Sequence, residues 1–416
     1  MRDAEEKVLR KIDETQVVNL TRRIARVLSQ TGHEEEMAEV FVDELKSLGF
    51  QTEILEVTRH RPNVIARLKG SKEGYSLLFN GHLDGGRKTP LPGWTKEPYG
   101  GELCDGKIYG EFVRDMKGGN AAMLMAMNAL KEADLELKGD VTLALTIGHA
   151  EHGLGVEQLV EKKVTSDLAI IGEPTQMNVC ITHRAWIDME LTTRGLPTAY
   201  HTTTADKGVN AIEKMSKLIV AMNGVKWKRP KVPTEVERLY PNQTCYWNIG
   251  TVEGGFEGWN SKSIVPNYCK AGLNVRPMYG KDYDEMLGEM NEIIAQVKSS
   301  DPNVEATLDY VPGFPLDYLY IPSSSPLVKA SSESIRHGNG KAPDLVKYDW
   351  TTDGGILQRR AKMKVVVWGP CEALYTPLGP DEFITVKELM GATKSYALAA
   401  TKISTRNKHD FDRAYK

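Results

Sequence analysis

The chain contains the nonapeptide SLLFNGHLD at residues 76–84, in which a short apolar run ends in a histidine and an aspartate. Two further segments have the same form, VTLALTIGHAEH at residues 141–152 and LAIIGEPT at residues 168–175. Apolar runs of this length predict buried β-strands, and residues 119–132 predict a helix between the first two. Strands that alternate with helices indicate an α/β domain, whose functional side chains gather at the carboxyl ends of the strands.

The pattern changes near Trp186, where the following residues predict a compact β-α-β-β-α-β unit that ends near residue 311. Beyond this unit, a helix, a strand at 363–368 and a C-terminal helix from Val386 restore the first pattern. We therefore predict a mixed-sheet α/β domain formed by residues 1–186 and 312–416. A ferredoxin-like domain at residues 187–311 would be inserted into it.

The composition excludes several classes of protein. The 416 residues carry 53 basic and 56 acidic side chains, and this balance provides no cationic field for binding nucleic acid. No apolar run approaches the ~20 residues that a membrane-spanning helix needs. The N-terminus is charged and the five cysteines are scattered and odd in number, so we expect a cytoplasmic protein with no nucleic-acid or membrane partner.

Five acidic or imidazole side chains follow the predicted strands or precede the predicted helix: His82, Asp84, Asp115, Glu151 and Glu173. Each alone is an ordinary turn or cap residue, because Asp and Glu favour such positions. Together, imidazole nitrogens and carboxylate oxygens form a typical ligand set for a divalent metal in a hydrolase. The group therefore indicates a metal site more strongly than any of its members.

The order and spacing of these motifs resemble those of the M20 metallopeptidase family. The resemblance rests on Gly81–Asp84, Trp94–Tyr99, Asp105–Gly110, Asp115–Gly119, Gly172–Thr175, Gly208–Ile212 and Asp381–Glu382. It implies that His82, Asp115 and Glu173 bind one metal ion, and that Asp84 holds the ring of His82. A carboxylate that accepts a proton from the outer ring nitrogen fixes the tautomer of a histidine ligand.

The resemblance also implies roles for residues of the inserted domain. His201 matches a histidine that reaches the active site of a partner subunit, which implies a homodimer or higher homo-oligomer with the inserted domain as lid and dimerisation module. Arg276 matches the arginine that binds a substrate carboxylate, for which a planar guanidinium is suited. Ser263 stands where an asparagine commonly contacts substrate.

The chain departs from the family after the strand at 141–147. Members carry two adjacent glutamates there, a general base and a metal ligand, whereas this chain has Ala150, Glu151 and His152. One alignment makes Glu151 the ligand and leaves the base position to Ala150. The other makes Glu151 the base and puts His152 in the ligand position. Of the two roles, we predict that of base for Glu151. His149 and His152 are the alternative groups for proton transfer.

A second departure lies near the C-terminus, where Tyr375 replaces a metal-binding histidine of the family. A phenol ionises near pH 10 and is a poorer ligand at neutral pH than imidazole. We therefore predict that the second metal site of the family is weak or lost, and we place Tyr375 among the catalytic residues. One essential Mn, Zn or Co ion per active site is expected.

These observations predict a metal-dependent hydrolase that cleaves a C–N bond of a small carboxylated substrate. The departures favour a non-peptide specialist, such as an aromatic aminohydrolase of the 5-nitroanthranilate type. One alternative is an M20-type peptidase or N-acyl-amino-acid deacylase. Another is a non-catalytic binding relative that lost the general base, although such a protein has no evident need for a matched set of metal ligands.

Overall fold

The structure is a computed structural model that describes residues 2–198, 202–258, 262–311, 313, 315–371 and 379–416. The chain divides into two compact units. Unit 1 consists of Met1–His183 and Leu319–Lys416, and unit 2 consists of Arg184–Tyr318. Two of the predicted site residues, His201 and Tyr375, lie outside the described residues.

Unit 1 begins with three helices and continues with strands between which α4 and α5 are placed, and the bounds of the helices and strands of both units follow. The helices of the described residues are α1 (Arg2–Leu9), α2 (Glu14–Ala25), α3 (Glu35–Ser47), α4 (Gly118–Glu132), α5 (Leu154–Glu161), α6 (Ala211–Met222), α7 (Thr234–Leu239), α8 (Tyr283–Ser300), α9 (Pro326–Asn339), α10 (Gly354–Arg360), α11 (Val386–Ser404) and α12 (Lys408–Ala414). The strands are β1 (Thr52–Thr58), β2 (Arg61–Leu68), β3 (Leu77–His82), β4 (Leu103–Cys104), β5 (Lys107–Tyr109), β6 (Val141–Thr146), β7 (Leu168–Ile171), β8 (Val179–His183), β9 (Ile187–Arg194), β10 (Tyr246–Gly255), β11 (Tyr268–Arg276), β12 (Glu305–Tyr310), β13 (Leu319–Tyr320), β14 (Leu345–Tyr348), β15 (Lys364–Val367) and β16 (Phe383–Thr385).

A nine-stranded mixed sheet forms the centre of unit 1. Its order is β1-β2-β6-β3-β7-β15-β8-β13, and β14 pairs with β8 outside this path. The four strands β6, β3, β7 and β15 run parallel to one another, whereas β1, β2 and β13 pair in the antiparallel sense. Every residue of β3, β6 and β7 is buried, which explains why these strands appear in the sequence as continuous apolar runs.

The parallel strands end at the same edge of the sheet. His82 is the last residue of β3, the segment after β6 contains His149 and Glu151, and Glu173 follows β7 by two residues. Strands β4 and β5 of a small three-stranded sheet, whose order is β16-β5-β4, precede the segment that contains Asp115. The predicted strand ends therefore bring the polar residues of three distant segments to one edge.

Unit 2 contains a four-stranded antiparallel sheet of order β10-β11-β9-β12. Buried and half-buried residues alternate along β9, so one face of the sheet is covered. Met215 and Leu218 of α6 and Met286 and Met290 of α8 belong to the same buried apolar cluster as the sheet. Apart from the short helix α7 between α6 and β10, the order β9-α6-β10-β11-α8-β12 is the β-α-β-β-α-β arrangement predicted from the sequence. The predicted α/β fold class is confirmed.

Local sequence explains where the main helices begin. The side chain of Asp13 accepts the backbone N–H groups of Thr15 and Gln16 at the start of α2. Thr385 and Glu388 form a reciprocal capping box at the start of α11, at the position that the sequence predicts. Among the described residues, none of the helices combines the length and the apolar character that crossing a bilayer requires.

Candidate metal centre

Three of the predicted ligands converge at the edge of the unit 1 sheet. Nε2 of His82 lies 3.2 Å from Oδ1 of Asp115 and 3.7 Å from Oε1 of Glu173. One ligand atom from each of the three residues lies within 4.8 Å of the other two. His82 and Glu173 are buried and Asp115 is half-buried, so the group forms a compact and largely enclosed set of one nitrogen and two oxygen ligands.

Two structural features hold Asp115 and Glu173 in place. The carboxylate of Glu382, in the motif Asp381–Glu382, accepts the backbone N–H groups of Phe112 at 3.1 Å and Arg114 at 2.9 Å. These bonds fix the segment that ends in Asp115. A Cβ atom on Gly119 would lie 2.7 Å from the carbonyl oxygen of Gly172, so glycine allows α4 to approach the residue before Glu173.

The ring of His82 is oriented differently from the prediction. Its Nδ1 donates to the backbone carbonyl of Asp84 at 2.7 Å, whereas the Asp84 carboxylate lies 3.8 Å away. The carboxylate accepts the backbone N–H groups of His149 at 3.0 Å and Ala150 at 3.2 Å instead. Short turns leave backbone N–H groups available to a carboxylate, so the Asp84 side chain fixes the loop after β6. The tautomer of His82 is set instead by the backbone carbonyl of Asp84.

The electrostatics of the cluster suit a cation. Burial opposes protonation of His82, but the hydrogen bond to Asp115 and the charges of Glu173 and Asp84 raise its pKa well above the usual value. Burial, and then the charge of Asp115, raise the pKa of Glu173 to about 7. Acidic groups crowded in this way repel one another unless a positive charge joins them. Imidazole and carboxylate ligands at these distances fit Zn, Mn or Co.

Glu151 is turned toward a different partner. Its Oε2 lies 2.5 Å from Nη2 of Arg61, and the guanidinium of Arg61 also binds the buried carboxylate of Glu34 through two contacts of 2.7 Å. Glu151 is not one of the three residues that form the cluster of possible metal ligands. The predicted role of Glu151 as general base or ligand therefore has no support from its contacts.

His149 lies closer to the cluster than the sequence indicated. Its ring stacks on that of His82, with centroids 4.7 Å apart and planes inclined by 15°. Its Nδ1 lies 2.8 Å from Oδ1 of Asp353, a buried residue that precedes α10. Burial opposes protonation of His149, but the charge and hydrogen bond of Asp353 raise its pKa to about 9. The sequence analysis missed Asp353, which no motif marked.

The predicted substrate residues of unit 2 lie in two places. Arg276 ends β11, where its guanidinium carbon lies 4.5 Å from the ring centroid of Trp186 and its Nε donates to Asn274 at 3.0 Å. Burial lowers the pKa of Arg276 to about 10. Ser263 lines a cavity of about 720 Å³ in this unit together with Asn210 and Lys262.

The sequence profile of peptidase family M20/M25/M40 matches residues 78–402. The chain therefore belongs to this family, and it is a hydrolase. The fold is similar to that of a solved dipeptidase, Dug1p from Saccharomyces cerevisiae. The two structures superpose with a TM-score of 0.77 at 14% identity, and the match covers 96% of this chain and 98% of Dug1p.

Two relatives are similar to this chain in sequence over most of its length. The N-formyl-4-amino-5-aminomethyl-2-methylpyrimidine deformylase of Halalkalibacterium halodurans is 26% identical over 381 residues, which are 84% of each chain. The succinyl-diaminopimelate desuccinylase of Dechloromonas aromatica is 25% identical over 398 residues, which are 93% of this chain and 98% of the relative.

Proposed function

We propose that this protein is a metal-dependent amidohydrolase that removes an acyl group from the nitrogen of a small carboxylated amine. The observation that carries the proposal is the cluster of His82, Asp115 and Glu173 in a chain of the M20/M25/M40 family. The two relatives described above, a deformylase and a desuccinylase, support the removal of an acyl group over the cleavage of a peptide. Arg276 is the proposed partner of the substrate carboxylate.

The three ligands would hold one divalent ion. When bound, the ion supplies Lewis acidity and lowers the pKa of water. Burial of His82 and Glu173 excludes bulk water from their side of the site, and the carbonyl of Asp84 keeps Nε2 of His82 in its ligand tautomer.

His149 is the proposed proton-transfer group, in place of Glu151. The Asp353 carboxylate binds Nδ1, so Nε2 is the ring atom that exchanges the proton. Nε2 takes a proton from water as the water oxygen bonds to the acyl carbon. It then returns the proton to the nitrogen as the C–N bond breaks, and an acid and an amine leave. The charge of Asp353 stabilises the intermediate imidazolium.

The test is an amine-release assay on chelator-treated protein before and after addition of Mn²⁺, Zn²⁺ or Co²⁺. The substrates are N-formyl, N-acetyl and N-succinyl amino acids and dipeptides, with the metal content measured in parallel. We expect release of amine from N-acyl substrates only after a metal is added. Undiminished activity without metal, or no turnover of any substrate by the loaded protein, contradicts the proposal.

A second candidate is the aromatic aminohydrolase expected from the sequence. The observation that favours it is the absence of a glutamate at position 150, together with a histidine beside the metal cluster in place of an acidic base. Ammonia release from 5-nitroanthranilate by the loaded protein, with no turnover of N-acyl substrates, would favour this reaction. Metal and ligand binding without turnover of either class would favour the non-catalytic alternative.

We also propose that the protein is a homodimer, as the match of His201 implies. Unit 2 offers a surface for a second copy, because β10 pairs only with β11 among the described residues and exposes Tyr246 and Val252. An unpaired edge strand readily pairs with another chain. Sedimentation velocity should give the mass of a dimer, and a concentration-independent monomer would contradict this arrangement.

A further inference from the structure

A buried ion pair lies beside the loop that follows β6. Arg61 begins β2 and binds Glu34, whose side chain is fully buried, through Nε and Nη2. Nη2 also binds Glu151, whose side chain is 44% exposed. Because Glu34 has no access to water, Arg61 is fixed by its buried partner. Glu151 is the member of the trio with freedom to move.

The backbone is adapted to this contact. Gly148 has a φ of +67°, and a Cβ atom there would lie 3.1 Å from Oε2 of Glu151 and 3.4 Å from Nη2 of Arg61. A side chain at position 148 would therefore crowd the ion pair, and glycine leaves room for it. The carboxylate of Asp84 holds the same loop through the N–H groups of His149 and Ala150. The loop is thus held by two charged groups, Asp84 at His149 and Ala150 and Arg61 at Glu151.

Two acidic groups therefore share one cation, and they differ in burial. The charge of Arg61 is needed by Glu34, since a buried carboxylate without a partner is strongly destabilising. The second contact of Arg61 holds Glu151, which is not a member of the cluster of three ligands. Removal of Arg61 would therefore release the Glu151 carboxylate from this ion pair.

We propose that Arg61 is a positioning residue that keeps the Glu151 carboxylate out of the metal centre and leaves proton transfer to His149. The inference rests on the proposed function for its kinetic consequence, but it also makes a statement about metal binding that needs no substrate. Once Arg61 is removed, Glu151 should become an additional ligand or base at the cluster of His82, Asp115 and Glu173.

The metal-binding experiment compares four forms of the full-length protein by titration with Mn²⁺. They are the wild type, Arg61→Met/Glu34→Gln, the same protein with Glu151→Gln added, and the control Arg67→Met/Glu53→Gln. Glu34→Gln is included so that no buried charge is left alone. The control removes another arginine–glutamate ion pair of the same strand, in which Arg67 binds the exposed Glu53 at 2.5 Å; it controls for the loss of the two charges on β2 and β1.

We expect Arg61→Met/Glu34→Gln to bind Mn²⁺ at least about fivefold more tightly than the wild type, because a carboxylate ligand is added. Glu151→Gln should abolish this gain, and the control should bind like the wild type. An unchanged affinity in a variant that retains its circular dichroism spectrum overturns the inference. A gain that survives Glu151→Gln also overturns it.

A rescue experiment adds the kinetic test. His149→Asn should lower kcat by about 100-fold or more, and Arg61→Met/Glu34→Gln/His149→Asn should recover at least about tenfold of that loss. The recovery should disappear when Glu151→Gln is added. If His149→Asn retains activity, the proposed role of His149 fails while the metal titration still decides the position of Glu151. If His149→Asn is inactive and no recovery occurs, Glu151 does not serve as a base; an unchanged Mn²⁺ affinity in the titration then overturns the inference, while the proposed function stands.

Discussion

His82 and His149 lie face to face at the ends of neighbouring parallel strands, but their Nδ1 atoms bind different partners. Nδ1 of His82 donates to a backbone carbonyl, whereas Nδ1 of His149 contacts the carboxylate of Asp353. A neutral carbonyl fixes one tautomer and leaves Nε2 as a ligand. A carboxylate stabilises the imidazolium and so favours proton exchange. In the proposed mechanism the two rings therefore differ in role: His82 offers Nε2 to the metal, and His149 exchanges a proton through Nε2 with Asp353 as its partner.

The largest effect is expected when the imidazole of His82 is removed. His82→Ala should lose bound metal and reduce kcat/KM by about 1000-fold or more, because both the ion and its Lewis acidity are lost. The measurement is metal analysis of the purified variant, followed by the amine-release assay with excess Mn²⁺. Tight metal binding by His82→Ala would show that the cluster of three residues is not the metal site.

The neighbouring ring should behave differently. His149→Asn should retain the metal of the wild type and lose about 100-fold to 10,000-fold in kcat, since general acid–base catalysis contributes about that much. KM should change little, because His149 is proposed to act on the proton and not on substrate binding. The two variants form a matched pair, and loss of metal from His149→Asn would remove the distinction between the two histidines.

The sequence predicted one half of this comparison well. Strand ends are visible as apolar runs followed by polar residues, so His82 and Glu173, which follow β3 and β7, could be placed together before the structure was known. The fold followed from the same pattern. The sequence pattern does not predict the short helix α1, because this helix buries only Val8 and has almost no apolar face.

The other half depends on partners that are distant in sequence. Spacing cannot show that Asp353 reaches Nδ1 of His149, nor that Arg61 binds Glu151, because both contacts depend on side-chain rotamers and on the packing of separate segments. Asp84 illustrates the same point. Its place in the motif suggested a bond from its carboxylate to His82, but the backbone carbonyl makes that bond and the carboxylate caps the next loop.

The carboxylate of Asp353 offers a finer test through pH. Asp353 raises the pKa of His149, and the base form of His149 is the active one, so activity should increase as the pH rises through that pKa. Asp353→Asn lowers the pKa and should shift the acidic limb of the kcat profile to lower pH by about one unit or more. It should also lower the maximum kcat, since the imidazolium is less stabilised. A profile that shifts to higher pH would contradict this assignment.

The smallest expected effect concerns the stability of the metal-free protein. The pKa values of His82, His149 and Glu173 are all raised in the folded state. A group whose pKa is raised by folding stabilises the protein while it is protonated and loses that contribution as the pH rises through the folded pKa. Glu173 should lose its contribution between its usual pKa and about 7, and His149 between its usual pKa and about 9. The metal-free protein should therefore melt at a lower temperature at pH 8.5 than at pH 6, by roughly several degrees.

Bound metal displaces the proton of His82 and Glu173 but leaves that of His149, so the metal-loaded protein should retain only the part of the pH dependence that lies toward pH 9. Differential scanning calorimetry of both forms over this pH range distinguishes the contribution of His82 to the melting temperature from that of His149. An identical pH dependence with and without metal would show that the ion does not bind at His82 and Glu173.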